Sequence, residues 1–427
     1  MSDVCGEISV ATVVQLGVEL GFSAVGVTTA APFADLLPRL RTYYAEGRAS
    51  GFEHPIAEER IDPQTVLPGA RSLIAVALPY VDRALLGERR PPGRRGVVSL
   101  YARGEDYHRT LRRMLTALAE RLEQELGRPL LWRAGVDTTP LVDRAVAERA
   151  GVGFIGKNCC VITPDHGSWV FLGTLLTDVM VEGALGEAAP GGTAMGETAS
   201  RETAEVVAVD GCGDCDLCLQ ACPTGALREP FVLDSSLCLS FVTQMKGHIP
   251  RELREPLGRR VWGCDTCQHV CPKNAVSLTA IDDAGRLDPE LGQPELRAVL
   301  ELSNRAFTRA YGHTAGAWRG AQAWRRNAVI ALGNARDREA VPRLIELLAD
   351  ARPEIRGSVA WALERIDPKR ASAAVRAAWE RETDEEARRD MAWAAHGQEN
   401  SAQGGRVEEQ AHQRGAMRRA SHIPRRN

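Results

Sequence analysis

Eight of the eleven cysteines in this 427-residue chain fall between Cys212 and Cys271, at spacings that suit one kind of chemistry. The stretch "GCGDCDLCLQACPTGAL" carries Cys212, Cys215, Cys218 and Cys222 followed by Pro223, a C-x2-C-x2-C-x3-C-P pattern. "CDTCQHVCP" supplies Cys264, Cys267 and Cys271 before Pro272, and Cys238 lies between the two runs. Two-residue gaps let one tight turn aim successive sulfurs at the corners of an iron-sulfur cubane, and a proline after the last ligand fixes the exit of the chain. Eight thiolates suffice for two 4Fe-4S clusters. In two-cluster proteins the last cysteine of a run reaches across to the other cluster. That rule predicts Cys212, Cys215, Cys218 and Cys271 around one cluster and Cys222, Cys238, Cys264 and Cys267 around the other. Structural zinc competes for paired C-x2-C motifs, but a zinc ribbon has no use for a third thiol at x2 and a fourth at x3-P. Cys5, Cys159 and Cys160 stand outside the pattern and read as small buried thiols.

A second stretch, "AGVDTTPLVDRAVAERAGVGFIGKNCCVITPDHGSWVFLGTLLTD", places Asp137 in a short turn after a strand-like run. Pro140 follows, then glycines at Gly151, Gly153 and Gly156 ahead of Lys157 and Asn158. A glycine-rich loop brings backbone close to a large ligand. The plainer readings are that Asp137 caps a helix and that the Lys157 loop is an ordinary turn.

The elements that must position these groups follow from hydrophobic period. Residues 1 to 180 alternate apolar runs such as "SAVGV", "SLIAVALPY" and "SWVFLGTLL" with helical patterns, among them Leu111, Met114, Leu115, Leu118 and Leu122. This predicts an α/β layer domain. No G-x-G-x-x-G follows a strand and no G-x-x-x-x-G-K-[ST] occurs, which removes the main support for nicotinamide or nucleoside-triphosphate binding. Residues 181–210, rich in Gly, Ala, Glu and Thr, read as a flexible insertion, and 211–300 as a ferredoxin-like two-cluster domain with its following linker. In 301–396, "RRNAVIALGNARDREAVPRLIELL" and "RGSVAWALERIDPKRASAAVRAAW" recur at a period of about 31 residues, the mark of α-helical HEAT-like repeats. The arginine-rich stretch 397–427 reads as a disordered tail.

Composition is that of a globular protein: 44% hydrophobic, 26% charged, net charge -3. Nothing in that balance demands a membrane or nucleic-acid partner. The first residues lack a basic n-region, a twin-arginine pair and a small-residue cleavage site, and "SLIAVALPYV" is far shorter than the ~20 apolar residues of a membrane span. A cytoplasmic, membrane-free protein is expected, and in a reducing compartment clustered thiols point to metal or redox chemistry.

Taken in order, "RIDP", "YARGEDYH", "GVDTTPLVDRAVAERAGVGFIGKN", "GSWVFLG", the double ferredoxin spacing, "CLSFVTQMKGHIP" and "WGCDTCQHVCP" resemble the epoxyqueuosine reductase family. The resemblance implies a cobalamin-dependent iron-sulfur enzyme that reduces the epoxide of epoxyqueuosine to queuosine at the wobble position of tRNA, the last step in making that base. It implies Asp137 as the acid that protonates the leaving oxygen. Arg60, Tyr101, Ala102, Asp137, Lys157, Asn158, Ser168 and Leu172 fall where the family lines its cobalamin site. Lys246 and His248 fall where substrate RNA and corrinoid meet the cluster domain, and Arg319, Arg325, Arg326 and Asn327 at the start of the repeats would contact phosphates of the anticodon stem-loop. The same arginines also read as solvated helix faces. An external electron donor and a monomeric chain are expected. Two departures stand out: Asp143 where glutamate is usual, and Cys159 where a threonine commonly follows Asn158. A corrinoid reductive dehalogenase-like reductase and a pure iron-sulfur electron carrier are the competing functions. The first normally carries an export signal, and the second leaves Asp137, the glycine-rich loop and the repeats without a purpose.

Overall fold

The computed structural model describes residues 8–81, 94–186, 211–275 and 289–396. The tail expected over 397–427 and the 187–210 part of the expected insertion lie outside the described residues.

The N-terminal layer is built on a four-stranded antiparallel sheet in the order Ala24–Thr29, Ser72–Pro79, Val170–Thr177, Trp132–Gly135. Every residue of Ser72–Pro79 is buried, as an uninterrupted apolar run requires when both faces of its sheet are covered. Helices Val10–Glu19 and Tyr107–Leu126 cover one face, and Asp143–Arg149 covers the other. Leu111, Leu115, Leu118 and Leu122 turn inward from the Tyr107–Leu126 helix, which Asp106 caps at its start and Gly127, left-handed at φ 64°, ends. Gly26 admits the end of the Asp143–Arg149 helix so closely that a Cβ there would lie 2.0 Å from the Ala150 carbonyl oxygen. The layer runs past residue 180. Val181–Glu182 pairs in parallel with Ile8–Ser9, and Leu185 bonds back to Val27, so the first residues of the expected insertion are structured.

Residues 239–262 and 296–391 build a second, helical body. Helices Ala321–Ala335, Val341–Leu347, Pro353–Ile366, Pro368–Trp379 and Glu385–His396 stack in succession, in agreement with the period read from sequence. Their core is continuous with Leu239 to Trp262 and with Val98 and Ala102, so the second half of the cysteine segment and residues 97–102 belong to this body by packing. The joint is made by Val97–Val98 pairing in parallel with Arg260–Trp262, and by Trp262 stacking on Trp324 with ring centroids 6.0 Å apart. Farther along, Arg254 meets Asp390 with both forks engaged, at 2.9 and 2.6 Å, which ties Arg251–Leu257 to the last repeat helix. Removing either partner of such a pair would leave the other charge buried and uncompensated. No helix among the described residues is long and apolar enough to cross a membrane.

Candidate functional site

The cysteine segment folds around two short helices, Leu217–Ala221 and Thr266–His269, that pack together. Cys218, Cys222 and Cys267 share one small core with Cys159, Leu227 and Val270. Cys271 is pushed up by burial and then by the charges of Cys212 and Cys215. Burial pushes Cys238 up to about 12, with Cys264 and Cys267 adding to it. The fold thus brings Cys271 to the first run and Cys238 to Cys264 and Cys267. Thiols crowded in this way resist ionising together unless a cationic centre offsets their charge, which is what bound iron supplies. Cys160, read from sequence as a small buried thiol, stands beside Cys267 and Asn158.

Around these helices the cysteine segment grips the N-terminal layer. Ser99 Oγ donates to Asp265 and the Leu100 N–H donates to its Oδ2 at 2.8 Å, which fixes the turn carrying Tyr101 and Ala102. Gly263, at φ 69°, lets this happen: a Cβ there would sit 2.4 Å from Ser99 Cβ. Tyr101 Oη accepts from Trp262 Nε1 at 3.0 Å and from Gln244 Nε2 at 3.2 Å, and Ala102 is buried beside it. Lys157 reaches the same segment, its N–H toward Cys212 Sγ at 3.4 Å and its Nζ to the Gly213 carbonyl at 2.6 Å. Ser168 is buried with its amide on Asn274 Oδ1 (2.7 Å) and its hydroxyl on Gln268 Oε1 (3.0 Å). It faces the cysteine segment, not an open cleft, because the buried Asn274 needs its hydrogen-bonding groups matched.

Asp137 lies just past the Trp132–Gly135 strand with φ 57°, a conformation that aspartate tolerates better than most residues. Its side chain is 72% exposed. Tyr107 Oη donates to Asp137 Oδ2 at 3.1 Å, and His108 Nε2 stands 3.9 Å from the same oxygen. The other imidazole nitrogen, Nδ1, is 2.6 Å from Asp106 Oδ1. Burial works against the charged imidazole, but the Asp106 and Asp137 carboxylates outweigh it and raise His108 to about 9. Tyr107 stacks on Phe171 at 4.3 Å and on His108 at 4.0 Å, so both rings are held against the end of the sheet. On the other side Asp143 is enclosed, accepting from Thr174 Oγ1 at 3.3 Å. Burial first, then the Asp137 charge, raises it to about 7, with Arg60 opposing. Arg60 itself is buried and donates to Tyr44 Oη and the Pro140 carbonyl, and Leu172 lines the same face of the sheet. Sequence reading gave no role to Asp106, Tyr107 or His108, although "EDYH", a carboxylate two residues before a histidine at a helix start, carries the signal.

The expected RNA contacts divide. Lys246 is exposed. Arg319 lies over Trp318 and Phe52, 3.8 and 4.9 Å from the ring centroids, and its Nε donates to the Gln244 carbonyl. Trp318 is 53% exposed and Phe52 44%, and Trp318 Nε1 donates to Gln244 Oε1, so one glutamine joins this surface to Tyr101. Arg325 is half-buried on Asp350, and His248 Nε2 turns inward to 3.2 Å from Asp384. Arg326 and Asn327 are not surface groups at all. Arg326 is 1% exposed and donates to the carbonyls of Met245 (2.8 Å) and Gly247 (2.7 Å), while Asn327 donates to those of Thr243 and Val261. The expectation of phosphate contact fails for both because the irregular 243–247 backbone and the Val261 carbonyl need buried donors. Arg326→Leu is therefore expected to lower folding stability by about 2–4 kcal/mol, the cost of orphaned carbonyls. Denaturant unfolding checks this, and an unchanged midpoint would show that those carbonyls find other partners.

Comparison with known proteins agrees with this geometry. Residues 60–138 match the family model described as "Epoxyqueuosine reductase QueG, DUF1730", 211–274 match a 4Fe-4S double cluster binding domain, and 319–395 match HEAT repeats. An epoxyqueuosine reductase of Bacillus subtilis (strain 168) is 39% identical over 380 residues, 88% of this chain and 93% of the relative. A crystal structure of selenomethionine-labeled epoxyqueuosine reductase superposes with a TM-score of 0.80 at 38% identity, covering 90% of this chain and 97% of the other. Another, of epoxyqueuosine reductase with a tRNA-Tyr epoxyqueuosine-modified stem loop, gives 0.78 at 37% identity with the same coverage. With its cluster segment, helical repeats and aspartate-bearing sheet in the order and over the length of these relatives, the chain belongs to the epoxyqueuosine reductase family.

Proposed function

We propose that this chain removes the epoxide oxygen of epoxyqueuosine at the wobble position of tRNA, leaving the cyclopentene of queuosine, with electrons that enter from an external donor through two 4Fe-4S clusters. The reading rests above all on Asp137: an open carboxylate at the end of a sheet, steadied by Tyr107 and His108, with its charge felt at Tyr101, which is itself tied to the cysteine segment. Opening the epoxide leaves negative charge on oxygen, and a positioned carboxylic acid neutralises it as it develops.

Cobalamin fits the residues between Asp137 and the cysteines. Among the described residues Asn158 Nδ2 is a buried donor without a hydrogen-bond partner. A ligand rich in amide oxygens satisfies such a donor. Arg60, Tyr101, Ala102, Asp137, Asn158 and Leu172 would hold the corrinoid, while Lys157 and Ser168 brace that wall through Cys212, Gly213, Gln268 and Asn274. A corrinoid held there would supply a redox-active cobalt centre between the clusters and the substrate.

The wobble nucleotide must leave the anticodon stack to reach Asp137. Phe52 and Trp318 present exposed rings on which unpaired bases of the loop can stack, and Arg319 and Lys246 place positive charge beside them. The experiment is to incubate reduced, cobalamin-loaded protein with tRNA carrying epoxyqueuosine and weigh the wobble nucleoside. Loss of one oxygen is expected. Unchanged mass with both clusters intact would refute the reading and favour a plain electron carrier.

A further inference from the structure

Converting an epoxide to an alkene breaks two C–O bonds, forms one C=C bond and releases the oxygen as water, so each turnover consumes two electrons and two protons. The clusters and their donor account for the electrons. Asp137 accounts for one proton, and a carboxyl group that has given its proton must receive another before the oxygen can depart as water.

We propose that His108 supplies the second proton, handing it from Nε2 to the Asp137 carboxylate between the two protonations of the substrate oxygen; this rests on the reading of Asp137 given above. The geometry favours it. Asp106 Oδ1 takes the Nδ1 side of the ring at 2.6 Å, which leaves Nε2 directed at Asp137 Oδ2, 3.9 Å away. The ring is stacked on Tyr107 and its side chain is 32% exposed, so it stays in place and can regain a proton from solvent. The carboxylates on its two sides keep the imidazole charged up to about pH 9, against the pull of burial.

The neighbouring groups suit other tasks. Tyr107 also donates to Asp137 Oδ2, but burial first, then the Asp137 charge, hold its hydroxyl well above the usual phenol range, so it steadies the carboxylate and keeps its own proton. Asp143 is enclosed on the far side, bonded to Thr174, with Arg60 near it. The groups that face His108 are therefore Asp106, Asp137 and the Tyr107 ring, and Arg109 adds its charge at Asp106.

The sign of the pH dependence follows. His108 is loaded below about pH 9 and empty above it, so turnover should hold through neutral pH and fall as the pH rises through about 9. The test uses His108→Gln and His108→Ala in the full-length, cluster-loaded, cobalamin-loaded protein under single turnover. His108→Gln should convert bound substrate about 100-fold more slowly, with stem-loop affinity and cluster absorbance unchanged and the alkaline limb gone. Added imidazole should restore much of the rate to His108→Ala. Independently of turnover, 15N NMR of the histidine rings should show one imidazole that stays doubly protonated to about pH 9 and is missing from both variants. A His108→Gln rate within threefold of the parent, an alkaline limb that survives in it, or failure of imidazole to rescue would overturn the relay. So would a limb abolished by Asp143→Asn instead. Turnover surviving in Asp137→Asn would overturn both this inference and the proposed function of Asp137, whereas turnover lost there but normal in His108→Gln would sink the relay alone.

Discussion

Asp137→Asn is expected to bind its RNA and keep its clusters yet convert the substrate about 10²–10⁴-fold more slowly, the usual worth of a positioned proton donor. Asparagine isolates the effect. It tolerates the left-handed backbone that Asp137 adopts at φ 57°, and its amide oxygen can still accept from Tyr107 Oη. What is lost is the exchangeable proton, together with the negative charge that His108, Tyr107 and Asp143 feel. Alanine would also strain the turn and leave the Tyr107 hydroxyl unmatched. Single-turnover mass analysis of the wobble nucleoside decides the matter, and a rate within tenfold of the parent would remove Asp137 as the acid.

The second large effect is at Cys238, the one proposed ligand outside both cysteine runs. It starts the Leu239–Val242 helix, and burial together with Cys264 and Cys267 suppresses its ionisation. If it were merely a small buried thiol, Cys238→Ala would cost about 1 kcal/mol and leave chemistry intact. As a cluster ligand its loss should cut bound iron from about eight atoms to about four per chain. Turnover should fall by more than 100-fold with any reductant, since one of the two proposed stations on the electron path is then missing. Iron analysis and electron paramagnetic resonance of the reduced protein read this directly. A full complement of iron would show that some other group completes that cluster.

How much of this was legible beforehand depends on how local each signal is. The cysteine runs announce themselves because a cubane is gripped by one short loop, and the repeats because each helix pair must bury the same face against the next. The leucines of the Tyr107–Leu126 helix followed from period alone. The grouping of Tyr107 and His108 around Asp137 is hidden because it is assembled from afar. Tyr107 and His108 open a helix, Asp137 ends a strand thirty positions later, and only the antiparallel pairing of Trp132–Gly135 with Val170–Thr177 brings them together. Arg326 and Asn327 misled for the opposite reason. A run "RRN" at the head of an exposed-looking helix reads as surface, and nothing in the sequence shows that an irregular loop eighty residues earlier will need buried donors. In the sequence Asp143 stands out only as a departure from the family pattern, whereas its enclosure beside Asp137 is a property of the folded sheet.

The short parallel pairing of Val97–Val98 with Arg260–Trp262 has a consequence for how such proteins diversify. Because a piece of the N-terminal region is threaded through the helical body, the repeats are not a detachable cassette. Swapping them between relatives would strand residues 97–102, and with them the turn that carries Tyr101, against a foreign partner. Change in the repeats is thereby freest at the outward side chains of the helices, while the inward ones answer to the segment from Leu239 to Trp262.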